Sequence, residues 1–165
     1  MCLRLVGSEM CIRDSTYVVS SKDFSIVLTD IKEVFKKRKH IVQPFIENIV
    51  DEGEYSLIFF QNRHSHTLLK KPTKGDFRVQ EEHGGKLNIV KNTEEKLLET
   101  AKDIIKKVPF ESLYSRIDLV RCRETFLLME IELIEPSLYF NLKPDAANQF
   151  SSIIQSTFNN GFQVQ

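Results

Sequence analysis

The chain has 165 residues, 41% of them hydrophobic and 28% charged, with 23 Lys+Arg against 23 Asp+Glu. That length suits one domain or part of one, and a formal charge of zero offers no basic footprint for a nucleic acid. No apolar run approaches the roughly 20 residues of a membrane span, so the expectation is a soluble globular chain without nucleic-acid or membrane partners.

Cys2, Cys11 and Cys122 make an odd count with no CxxC pair, which disfavours a disulfide or cysteine-zinc scaffold and fits a reducing cytoplasm. The stretch LVGSEMCIRDS, residues 5–15, follows neither the helical nor the strand period. It resembles a translated sequencing adapter, so residues 1–15 are expected to be non-native and are set aside, leaving 16–165 as the domain.

In residues 23–39, Phe24, Val27, Leu28, Ile31, Val34 and Phe35 recur at three- and four-residue steps, with lysines and Arg38 at the end. That predicts an amphipathic helix with cations at its C-terminus. Residues 41–46 and 55–60 read as strands, and Gln61-Asn62-Arg63 turns the chain into a third, residues 64–71. Residues 72–85 lapse into a polar loop ending in Gly84-Gly85. Asn92 and Glu95 form an approximate capping box before a helix striped by Leu97, Leu98, Ala101, Ile104, Ile105 and Val108 and stopped by Pro109. Residues 113–120 and 126–134 predict a hairpin, and Pro144 opens a last helix. Helix, three strands, loop, helix, hairpin and helix make an α+β fold with a largely antiparallel sheet and flanking helices.

The predicted hairpin carries the sharpest chemistry. Strand side chains alternate faces, so Arg116 and Asp118 share one face, and so do Glu130 and Glu132 on the second strand. A turn about Glu124 sets Asp118 against Glu130 and Arg116 against Glu132, with opposed Cβ atoms roughly 4.5 to 5.5 Å apart. Three acids and one arginine leave excess negative charge. A carboxyl that stays protonated relieves it, and so does a bound Mg²⁺. The plainer alternative is a solvated strand face with an Arg116–Glu132 ion pair of little energetic weight.

The run RIDLV, a turn, and LLMEIELIEPSL resemble the metal-binding end of ATP-grasp ligases, in the glutathione-synthetase and RimK-like branch, close to its cycloserine-ligase-like members. The resemblance continues in order through VQPFI at 42–46, GEYSL at 53–57, LKKP at 69–72, GDFR at 75–78 and Gly84-Gly85. It implies the C-terminal half of an ATP-grasp domain. It also implies ATP as cofactor and a pair of Mg²⁺ or Mn²⁺ ions held by Asp118, Glu130 and Glu132, although an Asn is frequent in that family where Glu132 stands. Gln43, Pro44, Phe45 and Ile46 match the strand that meets adenine, Glu54 the acid that takes the ribose hydroxyls, and Lys70, Arg78 and Arg116 the cations at the phosphates. Glu135 lies on the opposite parity from the metal acids.

The implied activity is ATP-dependent ligation of a small-molecule carboxylate to an amine or similar nucleophile through an acyl phosphate. A non-catalytic nucleotide-binding or partner-binding module on the same fold is the alternative. The family's N-terminal substrate domain and first phosphate-binding lysine have no counterpart here, so the expectation is a C-terminal portion with little turnover alone. Three remaining features carry less. His64 and His66 share a strand face without a third zinc ligand. His83 beside the glycines is a weaker phosphate contact. Cys122 has no base near it in sequence.

Overall fold

The computed structural model describes residues 2–7, 16–20, 32, 36, 40–73 and 85–159, which fall in two units, Met1–Ile46 and Glu47–Gln165. In the first unit, β1 (Cys2–Gly7) pairs antiparallel with both β2 (Thr16–Ser20) and β3 (His40–Pro44). Leu5 to Gly7 is therefore strand, contrary to the expectation that residues 5–15 follow neither period; Leu3 and Leu5 flanking Arg4 supply a short alternation. The predicted helix at 23–39 lies almost wholly outside the described residues. Within it the Lys36 N–H donates to the Lys32 carbonyl at 3.0 Å, the spacing of an α-turn.

The second unit begins with a single turn, α1 (Asn48–Asp51), and builds an antiparallel sheet in the order β6-β5-β4-β7-β8. Its strands are β4 (Glu54–Phe60), β5 (Arg63–Lys71), β6 (Lys86–Ile89), β7 (Tyr114–Cys122) and β8 (Thr125–Glu132). Gln61 and Asn62 join β4 to β5 with φ of 47° and 61°, the left-handed pair that a two-residue hairpin needs. β6 is an addition to the prediction: its Leu87/Ile89 alternation is too short to stand out beside the polar loop. The largely antiparallel α+β architecture is as predicted.

Alternation sorts β4 and β7 onto two faces. Leu57, Phe59, Ile117 and Leu119 meet the apolar stripe Leu97, Ala101 and Ile105 of α2 (Glu95–Ile105). Burying a Phe or Leu side chain is worth about 1.5–3 kcal/mol each, so this layer anchors the sheet. The expected Asn92/Glu95 capping box does not form. Glu94 occupies the N-cap without a side-chain cap bond, and Thr93 instead donates to Thr67 Oγ1 at 2.8 Å. On the opposite face Ile58, Phe60 and Leu68 pack against Phe140, Leu142, and the Ala146, Phe150 and Ile153 stripe of α3 (Pro144–Asn159).

That second face is largely apolar at the Phe60 end. Toward Glu54 it turns polar and charged.

Candidate functional site: a buried charge ladder on one sheet face

Register assembles the ladder. Glu54 stands opposite Lys70, Ser56 opposite Asp118, Arg116 opposite Glu132, and Asp118 opposite Glu130. All of these side chains have the parity of the same face. Gly53, at φ 116°, brings β4 so close to β5 that a Cβ there would lie 2.4 Å from the Lys70 carbonyl oxygen. Only glycine fits at this position.

Asp118 is the centre and is 1% exposed. Its Oδ1 accepts from Ser56 Oγ at 2.5 Å and Arg116 Nε at 3.1 Å, while Oδ2 accepts from Lys70 Nζ at 3.1 Å and Arg116 Nη2 at 3.0 Å. Lys70 also pairs with Glu54 Oε1 at 2.7 Å, and Arg116 Nη2 reaches Glu130 Oε2 at 3.4 Å and Glu132. Four carboxylates therefore share two cations.

The electrostatics follow from that imbalance. Burial pushes the Asp118 carboxyl up, but Lys70, Arg116 and the Ser56 hydroxyl more than reverse it, holding Asp118 ionised. Burial also favours a neutral Lys70, and Glu54 and Asp118 overcome it. Glu54 is raised, because burial together with the Asp118 charge outweighs Lys70. Glu130 is raised too, by loss of water and then by Asp118, with Arg116 offsetting only part. The second strand thus presents an acid whose charge is not fully compensated.

Asp118, Glu130, Glu132, Arg116, Lys70 and Glu54 are all gathered here. Gln43 and Pro44 lie in β3, with Phe45 and Ile46 just beyond it, in the other unit. Arg78 and His83 fall outside the described residues, and Glu135 is exposed. Sequence patterns alone did not single out Ser56 or Tyr139. Ser56 shows no local signal, because only the pairing of β4 with β7 places it beside Asp118. Tyr139 follows β8 in a connection whose backbone sets it at φ 53°.

The Arg116–Glu132 ion pair of the plainer alternative is present, but it lies within the ladder rather than on a solvated face by itself. Among the described residues no three acidic, histidine or cysteine side chains converge as a metal-holding group. The site residues still suit a hard divalent cation in kind and charge: oxygen donors, two uncompensated negatives and a raised Glu130.

No protein-family profile and no curated protein matches this chain. Solved structures do. A D-cycloserine synthetase superposes with a TM-score of 0.72 at 19% identity, covering 93% of this chain and 54% of that one. The D-alanine–D-alanine ligase of Bacillus anthracis, complexed with ATP, gives 0.65 at 14% identity over 94% of this chain and 50% of its own. A second structure of that ligase gives 0.67 at 16% identity, over 95% and 54%. The chain has the ATP-grasp fold of these ligases and spans about half their length.

Proposed function

We propose that this chain is the ATP- and metal-binding portion of a carboxylate–amine ligase that works through an acyl phosphate. The observation that carries this reading is the buried ladder Glu54–Lys70–Asp118–Arg116, flanked by Glu130 and Glu132 on one face of the sheet. The fold it shares with ligases, one of them solved with ATP, supports the same reading.

In this reading a substrate carboxylate oxygen attacks the γ-phosphorus, the bond to ADP breaks, and an acyl phosphate forms. An amine nitrogen then attacks the carbonyl carbon and orthophosphate leaves. Such transfers depend on positioning and charge neutralisation more than on a side-chain nucleophile. Lys70 and Arg116 are the cations fixed at the site, and Asp118 holds both in place. Arg78 joins them from the loop by family resemblance. Glu54 fixes Lys70 in the conformation seen, and its carboxylate turns to the ribose hydroxyls only if nucleotide draws Lys70 away. Gln43, Pro44, Phe45 and Ile46 are assigned to adenine by the same resemblance.

Asp118, Glu130 and Glu132 would hold the Mg²⁺ ions, which supply charge neutralisation at the phosphate oxygens. The Glu132 carboxylate, where an amide is frequent, adds one more negative charge to that set.

The test is thermal unfolding of the full chain with ATP or ADP, with and without Mg²⁺. Stabilisation that requires both nucleotide and metal and disappears in Asp118→Asn supports the reading; its absence from the unmodified chain overturns it. Release of orthophosphate on adding carboxylate and amine separates a ligase from a non-catalytic nucleotide-binding module. That comparison needs the chain joined to whatever segment completes the substrate pocket.

A further inference from the structure

His66 is buried, 5% exposed, in the middle of β5, and lies on the same face as Lys70. Its Nε2 stands 3.1 Å from the carbonyl oxygen of Leu138, in the connection between β8 and α3, and its Nδ1 stands 3.0 Å from Ser65 Oγ. A carbonyl only accepts, so the ring must carry a proton on Nε2 to make this bond, while the Ser65 hydroxyl donates to Gln149 Oε1 at 3.2 Å.

The next residue, Tyr139, is at φ 53°, in the left-handed region that a bulky aromatic side chain rarely adopts. Its carbonyl accepts from Leu142 N–H at 3.0 Å and Lys143 N–H at 3.2 Å, so the same residue opens the turn into α3. The Tyr139 ring packs half-buried on the apolar part of the face, and Lys70, Arg116, Asp118 and Glu54 are the charges it feels. Backbone strain of this kind persists only where surrounding contacts over-determine it. The contacts here are the turn on one side and the His66 bond on the other.

We infer that His66 is a positioning residue: by donating Nε2–H to the Leu138 carbonyl it holds Tyr139 in its left-handed conformation at the border of the charge ladder. Tyr139 then closes the apolar side of the site with its ring and presents its phenol toward the charged side. The inference rests on the ligase reading only for the ladder being the reacting site.

The chain has no tryptophan, so Tyr139→Trp creates a single fluorescent reporter at the segment in question. In that background His66→Gln, which keeps an N–H near the Nε2 position, should leave the emission maximum and iodide quenching unchanged. His66→Leu fills the space without a donor; it should shift emission to the red and raise quenching several-fold while unfolding stays cooperative. Unshifted emission from a folded protein carrying both Tyr139→Trp and His66→Leu overturns the inference. So does a shift with His66→Gln as large as that with His66→Leu.

Imidazole ¹⁵N spectra of the unmodified chain give a second readout that does not depend on a variant folding: the Nε2–H tautomer supports the bond and the Nδ1–H tautomer overturns it. Both measurements are independent of nucleotide. A chain that binds no MgATP therefore sinks the ligase reading and leaves the His66 result standing by itself.

Discussion

Asp118 and Glu130 face each other across β7 and β8 because the ladder slips by one residue between Asp118 and Leu119, leaving Met129 unpaired. From the two-residue turn at Arg123-Glu124, Cys122 pairs with Thr125 and Leu119 with Leu128. Continued without a break, that register would set Met129 against Asp118 and turn Glu130 to the α2 face. A single-residue bulge restores the parity and puts both acids on the ladder.

Glu130 is the ladder member whose charge is least compensated, and its side chain is 59% exposed. Glu130→Gln should therefore leave the urea midpoint at neutral pH, in the absence of metal, unchanged or slightly raised. The same variant should lose most of the stabilisation given by MgATP. A clear drop in metal-free stability would mean that Glu130 serves the fold rather than a cation.

Gly53→Ala should be costly. Its Cβ would meet the Lys70 carbonyl at 2.4 Å, and φ of 116° is strained for alanine. A loss of about 3 kcal/mol is expected in urea unfolding, combining backbone strain and overpacking. Because the clash falls on Lys70 itself, nucleotide-dependent stabilisation should weaken in the same protein.

Arg121 lies outside the candidate site and ties three elements together on the α2 side. Its Nε donates to both Glu52 carboxylate oxygens at 3.0 Å, its Nη2 to Glu94 at 2.6 Å, and its guanidinium stacks 4.5 Å from the Phe126 ring centroid. The group is partly exposed, so Arg121→Ala should cost only about 1 kcal/mol in urea unfolding. Arg121→Lys should recover little of it, since an ammonium cannot make the planar fork and the stack together. MgATP stabilisation should be untouched in both.

Burial moves the His66 imidazole from its ordinary 6.5 down to about 4, against a smaller opposing effect of the Leu138 carbonyl. The folded ring stays neutral while the unfolded chain takes the proton first. Its contribution is therefore complete above pH 6.5 and is lost as pH falls from 6.5 to about 4, by at most about 3 kcal/mol. Glu54 and Glu130, raised in the fold, act in the opposite direction over the acid range. The difference in urea stability between the unmodified chain and His66→Gln isolates the histidine: it should shrink on acidification. A constant difference from about pH 7 to about pH 4 would show that the ring is not held neutral.

Much of this was legible in advance where the signal is periodic and local. The Leu97–Ala101–Ile105 stripe, the Gln61-Asn62 turn and the alternation of Arg116 with Asp118 each announce their element within a few residues. The shorter pieces were not. β6 has too few residues for alternation to rise above chance, β1 lies in the stretch that was set aside as adapter-like, and Glu94 rather than Asn92 stands at the N-cap of α2.

Sequence alone determined which residues carry the charge and that Arg116 shares a face with Asp118, and Glu130 with Glu132, because side-chain parity is a property of each strand by itself; the bulge in the pairing of β7 with β8 put the two pairs on one face. What surrounds that face was decided only by tertiary structure. Pairing of β4 between β5 and β7 brought Glu54, Ser56 and Lys70 to Asp118 from distant stretches of the chain. Strand order depends on how long-range contacts bury the sheet, and no local pattern encodes it.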